Sequence, residues 1–188
     1  HTQMGEALET LREPETAPLP DTRGRYRLVL RDNLRHRRSI QRSYLKAIGR
    51  AKREILIANA FFLPGGKLRR ALVNAAQRGV KVRLLLQGHY EYLVPYRAAH
   101  QVYGQLLAAG VEILEYTPSY LHAKVAVIDS RWMTVGSSNL DPLSLLLARE
   151  ANIVAQSPAV AMDSRQALLQ AMEHGGRVVD VGDYQRRS

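Results

Sequence analysis

The apolar positions from Tyr26 to Tyr116 repeat one alternation of short and long periods. "RYRLVLR" changes sides at every residue and predicts a strand at the start of the fold. "NLRHRRSIQRSYLKAIGRAK" then gathers Ile40, Tyr44, Leu45 and Ile48 on one helical face. Strand "EILIANAF", a Pro-Gly-Gly turn, helix "KLRRALVNAAQRG", strand "VKVRLLLQG", a tyrosine-rich loop, helix "HQVYGQLLAAG" and strand "VEILEY" follow. Gly79 and Gly110 each end a helix and are followed at once by a Val-led strand, a repeated junction with glycine as the stop. The alternation predicts an α/β layer fold: a mixed, largely parallel sheet flanked by helices on both faces.

After Tyr116 the grammar changes. "HAKVAVID" and "WMTVGSS" read as short strands joined by a tight turn at Ser130 and Arg131, "EANIVAQ" as a third, and "AVAMDSRQALLQAMEHGG" as a closing helix that stops at Gly175. Residues 1–24, with three prolines and no apolar period, read as a linker or arm. One domain is expected over residues 25–176, and residues 177–188 read as a tail.

Composition narrows the function. At 188 residues the chain is long enough for one domain with a sizeable core. It has no cysteine, which removes disulfides, zinc-thiolate sites and thiol catalysis. A net charge of +10 favours anionic partners, and the bias is local: eleven Lys or Arg stand against Asp32 alone between Arg25 and Arg53. No apolar run reaches the ~20 residues that cross a bilayer; "ILIANAFFL" is interrupted by Asn59. The chain opens on His1 rather than Met, so it is expected to be part of a longer protein.

The chemistry concentrates in "YLHAKVAVIDSRWMTVGSSNLDPLS". Read as a strand, "HAKVAVID" sends His122, Lys124, Ala126 and Ile128 to one face and Asp129 to the other. An imidazole and an ammonium projecting together are poorly explained as packing, since an unpaired buried lysine is costly. Gly136-Ser137-Ser138-Asn139 ends the next strand with small residues, a hydroxyl and an amide. Lys, Ser, Asn and backbone N–H all donate to an oxyanion, and the pattern offers no carboxylate pair or His cluster for a metal. It fits phosphoryl chemistry with imidazole as nucleophile and without metal or other cofactor.

These residues carry a resemblance. His122-x-Lys124-(x)4-Asp129-(x)6-Gly136-Ser137-x-Asn139 resembles the HKD signature of the phospholipase D superfamily, and Glu150 stands where that family has an acid that orients the histidine through Nδ1. "GSSNLDPLSLLLAREANI" and "REILIANAFFLPGGKLRRALVNAAQRGVKVRLLLQG" are similar to the bacterial cardiolipin synthases, type B branch. The resemblance implies that His122 attacks a phosphodiester to give a phosphohistidine, which a lipid alcohol resolves. Lys124 and Asn139 would hold the non-bridging oxygens, Ser137 would add a donor, and Glu150 would fix the tautomer. Asp129, facing away on the strand pattern, and Gly136 are expected to serve the scaffold.

The family's mechanism uses two such motifs and this chain has one; His36, His89, His100 and His174 lack the downstream Lys and Gly-Ser context. The expectation is a C-terminal half-enzyme whose partner is an N-terminal HKD half or a second copy. Its substrate would be a phosphatidylglycerol-like anionic phospholipid, and its place the cytoplasmic face of the bacterial inner membrane. A homodimeric nuclease and a non-catalytic basic module for membrane or nucleic acid are the competing readings. Tyr90, Tyr92 and Arg97, in a loop after a strand, are candidates to line the substrate entrance, and Asn59 to edge the same pocket beside Phe61 and Phe62.

Overall fold

The computed structural model describes residues 24–31, 38–89, 102–141, 149–180 and 182. The arm and the loop holding Tyr90, Tyr92 and Arg97 lie outside the described residues. Eight strands form one sheet: β1 Arg25–Arg31, β2 Glu54–Asn59, β3 Lys81–Gln87, β4 Glu112–Tyr116, β5 Lys124–Ile128, β6 Trp132–Gly136, β7 Glu150–Gln156 and β8 Gly176–Val178. Their spatial order is β1-β7-β6-β5-β2-β3-β4-β8. Helices α1 (Ser39–Arg50) and α2 (Gly66–Gln77) alternate with the first strands, α3 covers 102–108, and α4 is Pro158–Gly175.

The mixed α/β class is as the pattern predicts, but the sheet is mostly antiparallel. Among the described strands only β2–β3 and β3–β4 pair parallel, while β1–β7, β2–β5, β4–β8, β5–β6 and β6–β7 run antiparallel. The two parallel pairs are those joined through helices, and a helical crossover is what parallel pairing requires. The described strands after Tyr116 all add antiparallel: β5 on β2, β6 on β5, β7 between β6 and β1, and β8 on β4. The stretch from Gly176, read as a featureless tail from Arg177, adds β8 to the far edge, where Arg177 bonds Glu115 at 2.6 Å.

Strand parity divides the core. Ile55, Ile57, Leu84, Leu86, Ala126, Ile128 and Val154 face α1, α2 and α3, packing on Ile40, Tyr44, Ile48, Leu68, Leu72 and Leu106. Leu56, Ala58, Leu85, Val127, Met133 and Ala155 face α4 through Ala161, Leu168 and Met172. Gly79 and Gly110, at φ 83° and 85°, close α2 and α3 in the left-handed conformation that glycine adopts without strain. α4 is tied to the start of β2 by Arg165, which bonds both carboxylate oxygens of Glu54.

Candidate active site

The antiparallel pairs align polar residues across the α1 face of the sheet. Asn59 of β2 stands opposite Lys124 of β5, and Gly136 of β6 opposite Asn152 of β7. Asn59, Lys124 and Asn152 are buried in this row. Gly136 leaves it open, because a Cβ there would lie 2.2 Å from Ala151 O and 2.4 Å from Asn152 Oδ1. The carboxamide of Asn152 thus fills the space above Gly136, with Nδ2 donating to Thr134 Oγ1 at 3.1 Å.

His122, the first residue of the predicted strand, lies two residues before β5, which begins only at Lys124. It is exposed, on a connection pinned to the sheet from both sides. Gln87, at the end of β3, accepts from Leu121 N at 3.3 Å and donates to Leu121 O at 3.4 Å. Ala60 N bonds Ala123 O at 2.9 Å. Lys124 nevertheless reaches the histidine: its Nζ is 3.2 Å from His122 Nε2 and donates to His122 O at 3.0 Å. Lys124 is 7% exposed. Burial lowers its pKa from the ordinary lysine value, and the negative charge of Glu150 partly restores it.

A lysine ammonium has donors and no acceptor, so in a neutral ring the Nε2 opposite it is placed to accept, an arrangement that favours the ring proton on Nδ1. That is the tautomer a nucleophilic Nε2 needs. The sequence reading assigned this task to Glu150. Among the described residues, Glu150 instead accepts a hydrogen bond from Ser137 Oγ, and no hydrogen bond joins it to the His122 ring. Ser137 Oγ also accepts from Ala151 N at 3.1 Å, and Ser137 N donates to Ala151 O at 3.0 Å. The hydroxyl expected to meet an oxyanion therefore has its proton directed to Glu150, whose negative charge also raises the Lys124 pKa.

The Gly-Ser-Ser-Asn turn is held by the end of β2. Asn59 Oδ1 accepts from Leu140 N at 3.2 Å, and Leu63 N donates to Leu140 O at 3.0 Å. Asn59 is fully buried and acts here as a loop anchor rather than a pocket rim, while its Nδ2 has no partner among the described residues. Phe62 packs in the core. Asn139 Oδ1 is likewise buried without a partner.

Asp129 has left the strand. It and Ser130, at φ 53° and 54°, are the central residues of the β5–β6 turn, one position earlier than the predicted Ser130 and Arg131, and Arg131 N closes the turn on Ile128 O at 3.1 Å. Its carboxylate accepts from the backbone N–H of Lys52, Arg53 and Glu54 at 2.9, 2.8 and 3.0 Å. Burial alone would raise its pKa; these three donors and the Arg53 charge outweigh burial and lower it. Asp129 thus ties the β5–β6 turn to the entry of β2, at the opposite end of β5 from His122.

Gln87 and Asn152 were not singled out in the sequence. The signals were present: a polar residue at the carboxyl end of a buried strand, and a Glu-x-Asn spacing that puts Asn152 on the same face as Glu150. Among the described residues no group of three or more His, Cys, Asp or Glu is gathered as a metal cluster would be.

Comparison with known proteins agrees with this geometry. The family profile "Cardiolipin synthase, PLD-like domain" matches residues 44–172. Cardiolipin synthase B of Escherichia coli K12 is 49% identical over 127 residues, 68% of this chain and 31% of that protein. The minor cardiolipin synthase of Bacillus subtilis is 27% identical over 150 residues, 80% of this chain and 37% of its own length. The chain thus spans well under half of these relatives. In fold it is similar to the phospholipase D family member Nuc from Salmonella typhimurium, with a TM-score of 0.70 at 20% identity over 83% of this chain and 98% of that one. The phosphatidylserine synthase of Haemophilus influenzae gives 0.67 at 11% identity over 86% and 40%. The family profile spans most of the chain and includes His122, Lys124, Asn139 and Glu150, so the chain belongs to the cardiolipin synthase PLD-like domain family of the phospholipase D superfamily.

Proposed function

We propose that this chain supplies one of two half-sites of a phosphatidyl transferase that makes cardiolipin-like lipid from phosphatidylglycerol. The observation that carries the reading is the approach of Lys124 Nζ to His122 Nε2, 3.2 Å apart on an exposed connection. In the proposed reaction the Nε2 lone pair attacks the phosphodiester phosphorus, a P–N bond forms, and the P–O bond to the departing glycerol breaks. The alkoxide takes a proton from the acid of the second half-site. A lipid hydroxyl then attacks phosphorus, gives its proton to that same group, and releases Nε2. Lys124, with Asn139, meets the charge on the non-bridging oxygens.

The second half-site is an N-terminal HKD half of a longer parent chain or a second copy of this one. We place the reaction at the cytoplasmic face of the bacterial inner membrane, with the protein attached peripherally; no helix among the described residues is long and apolar enough to cross a membrane. The test is transfer from labelled phosphatidylglycerol in mixed micelles, with this chain alone and with a complementary half. Activity should require the second half and disappear in His122→Ala. Acid-labile, base-stable phosphate should be trapped on His122 of the wild type. Transfer that survives His122→Ala, or label on another residue, would overturn the reading.

The cation row of β1 and α1 favours one alternative, a homodimeric phosphodiesterase acting on nucleic acid. Metal-independent cleavage of DNA by a dimer of this chain would favour it over phosphatidyl transfer.

A further inference from the structure

β1 carries an inverted pattern for a strand at a sheet edge. Arg25, Arg27 and Val29 turn toward α1, while Tyr26, Leu28 and Leu30 turn to the α4 side, where no described element covers them. Leu28 is 61% exposed, Leu30 51% and Ile153, directly opposite Leu28 on β7, 50%. Val135 of β6, opposite Ile153, is also exposed, so Leu28, Ile153 and Val135 form one apolar row across three strands. Scattered apolar side chains need no explanation, but five contiguous large ones do.

Around the same edge lie cations. A groove of about 510 Å³ between β1, α1 and the β5–β6 turn is lined by Arg25, Arg27, Lys46, Arg50 and Arg131. Its acidic member, Asp129, is engaged by three backbone N–H groups. A neighbouring groove of about 440 Å³ adds Arg42. Because strands alternate, the edge that exposes Val135 and Ile153 on one face holds Gly136, Glu150 and Asn152 of the candidate active site on the other.

We propose that the β1–β7 edge is a docking surface for an anionic lipid bilayer, with Tyr26, Leu28, Leu30, Val135 and Ile153 entering the interface and the adjoining arginines and lysine meeting lipid phosphates. The proposal deepens the phosphatidyl-transfer reading and rests on it for its purpose: it holds the chain that carries His122 at the membrane that carries the substrate. Charge complementarity selects the bilayer, since one strand offers both a cation row and an apolar row. A nucleic acid would use the cations and leave the leucines and Ile153 in water.

The chain has no cysteine, so a single Leu28→Cys labels cleanly with a polarity-sensitive dye. The probe is a vesicle of phosphatidylglycerol and phosphatidylcholine, against phosphatidylcholine alone. On the mixed vesicles the Leu28→Cys dye should shift to the blue and be quenched by brominated lipid, whereas a dye on Glu173→Cys, exposed near the end of α4, should not respond. Arg25→Gln/Arg27→Gln/Lys46→Gln and Leu28→Ser/Leu30→Ser/Ile153→Ser should each weaken co-sedimentation about tenfold or more. These positions are at the surface, and unchanged urea unfolding verifies that each variant is folded. Three results would overturn the proposal: a Leu28 dye that stays in water on bound vesicles, an apolar triple variant that binds like wild type, or a dimer that the apolar variant dissociates, which would make the patch a protein interface. Binding needs no turnover, so the two readings separate. Docking without transfer removes the function and keeps the surface; transfer with an unresponsive dye does the reverse.

Discussion

Lys124 Nζ lies 3.2 Å from His122 Nε2, and the same ammonium donates to His122 O at 3.0 Å. One side chain therefore contacts both the backbone and the ring of His122, on the connection just before β5. The consequence is chemical: a donor-only partner leaves Nε2 as the basic nitrogen.

That arrangement is testable without substrate. In wild-type chain, ¹⁵N-histidine spectra above the imidazole titration should show the His122 proton on Nδ1. Lys124→Met should let the Nε2–H tautomer grow. Transfer by the enzyme paired with its second half should fall by about 10²-fold or more when Lys124 is replaced, the usual cost of losing an oxyanion donor. A wild-type ring protonated at Nε2 would refute tautomer control by Lys124.

Glu150 should be felt through Lys124. Burial lowers the lysine pKa and Glu150 raises it, so Glu150→Gln should move the Lys124 titration further down. The stability consequence has a definite sign. Between the lowered folded-state pKa and the ordinary lysine value the unfolded chain binds more protons, so the Lys124 contribution to stability rises with pH across that alkaline window. Below it the cost is constant. Glu150→Gln widens the window downward and enlarges the cost at neutral pH. A ¹³C titration of the Lys124 Cε signal reads both; an upward shift in the variant would contradict the assignment.

Gly136 should tolerate no side chain. An added Cβ meets Ala151 O at 2.2 Å and Asn152 Oδ1 at 2.4 Å. Gly136→Ala should cost about 3 kcal/mol, as overpacking does, and should displace Ser137 from Glu150. Asn152 Cα also lies 2.6 Å away, so only one of the three close atoms, Asn152 Oδ1, belongs to a side chain. Asn152→Ala added to Gly136→Ala should therefore restore little stability in urea unfolding, because the carbonyl of Ala151 remains. Full rescue would place the conflict on Asn152 alone.

What the sequence makes legible here is local. The helical face of Ile40, Tyr44 and Ile48, the glycine stops at Gly79 and Gly110, and the neighbourhood of His122 and Lys124 all follow from spacings of a few residues, and all appear in the fold. The pairings that join distant segments do not. Arg25 meets Gln156, and Ile55 meets Ile128, across long stretches of chain, and no local period encodes which strands become neighbours or in which direction. The hydrogen-bond partners of Ser137, Glu150, Asn59 and Gln87 depend on those pairings, so spacing alone does not give them.

Asp129 shares the motif's name but should behave as scaffold. Its carboxylate serves three backbone N–H groups, and its backbone holds φ 53°, a conformation Asn and Gly accept more readily than Ala. Asp129→Ala removes the acceptor and adds backbone strain; a cost of about 2–4 kcal/mol is expected. Asp129→Asn keeps an acceptor and tolerates the turn, so it should cost less. The pH dependence has the same sense as that of Lys124, stability rising with pH, but lies in the acid range instead of the alkaline one. The lowered carboxylate pKa gives stability that is present above the unfolded aspartate value and lost as pH falls through the folded one, and Asp129→Asn should flatten that acid limb. In both variants, whatever remains folded should keep the His122 proton on Nδ1, because the turn lies at the far end of β5. Loss of that tautomer in a stably folded Asp129→Asn chain would show that Asp129 acts on the site and not on the scaffold alone.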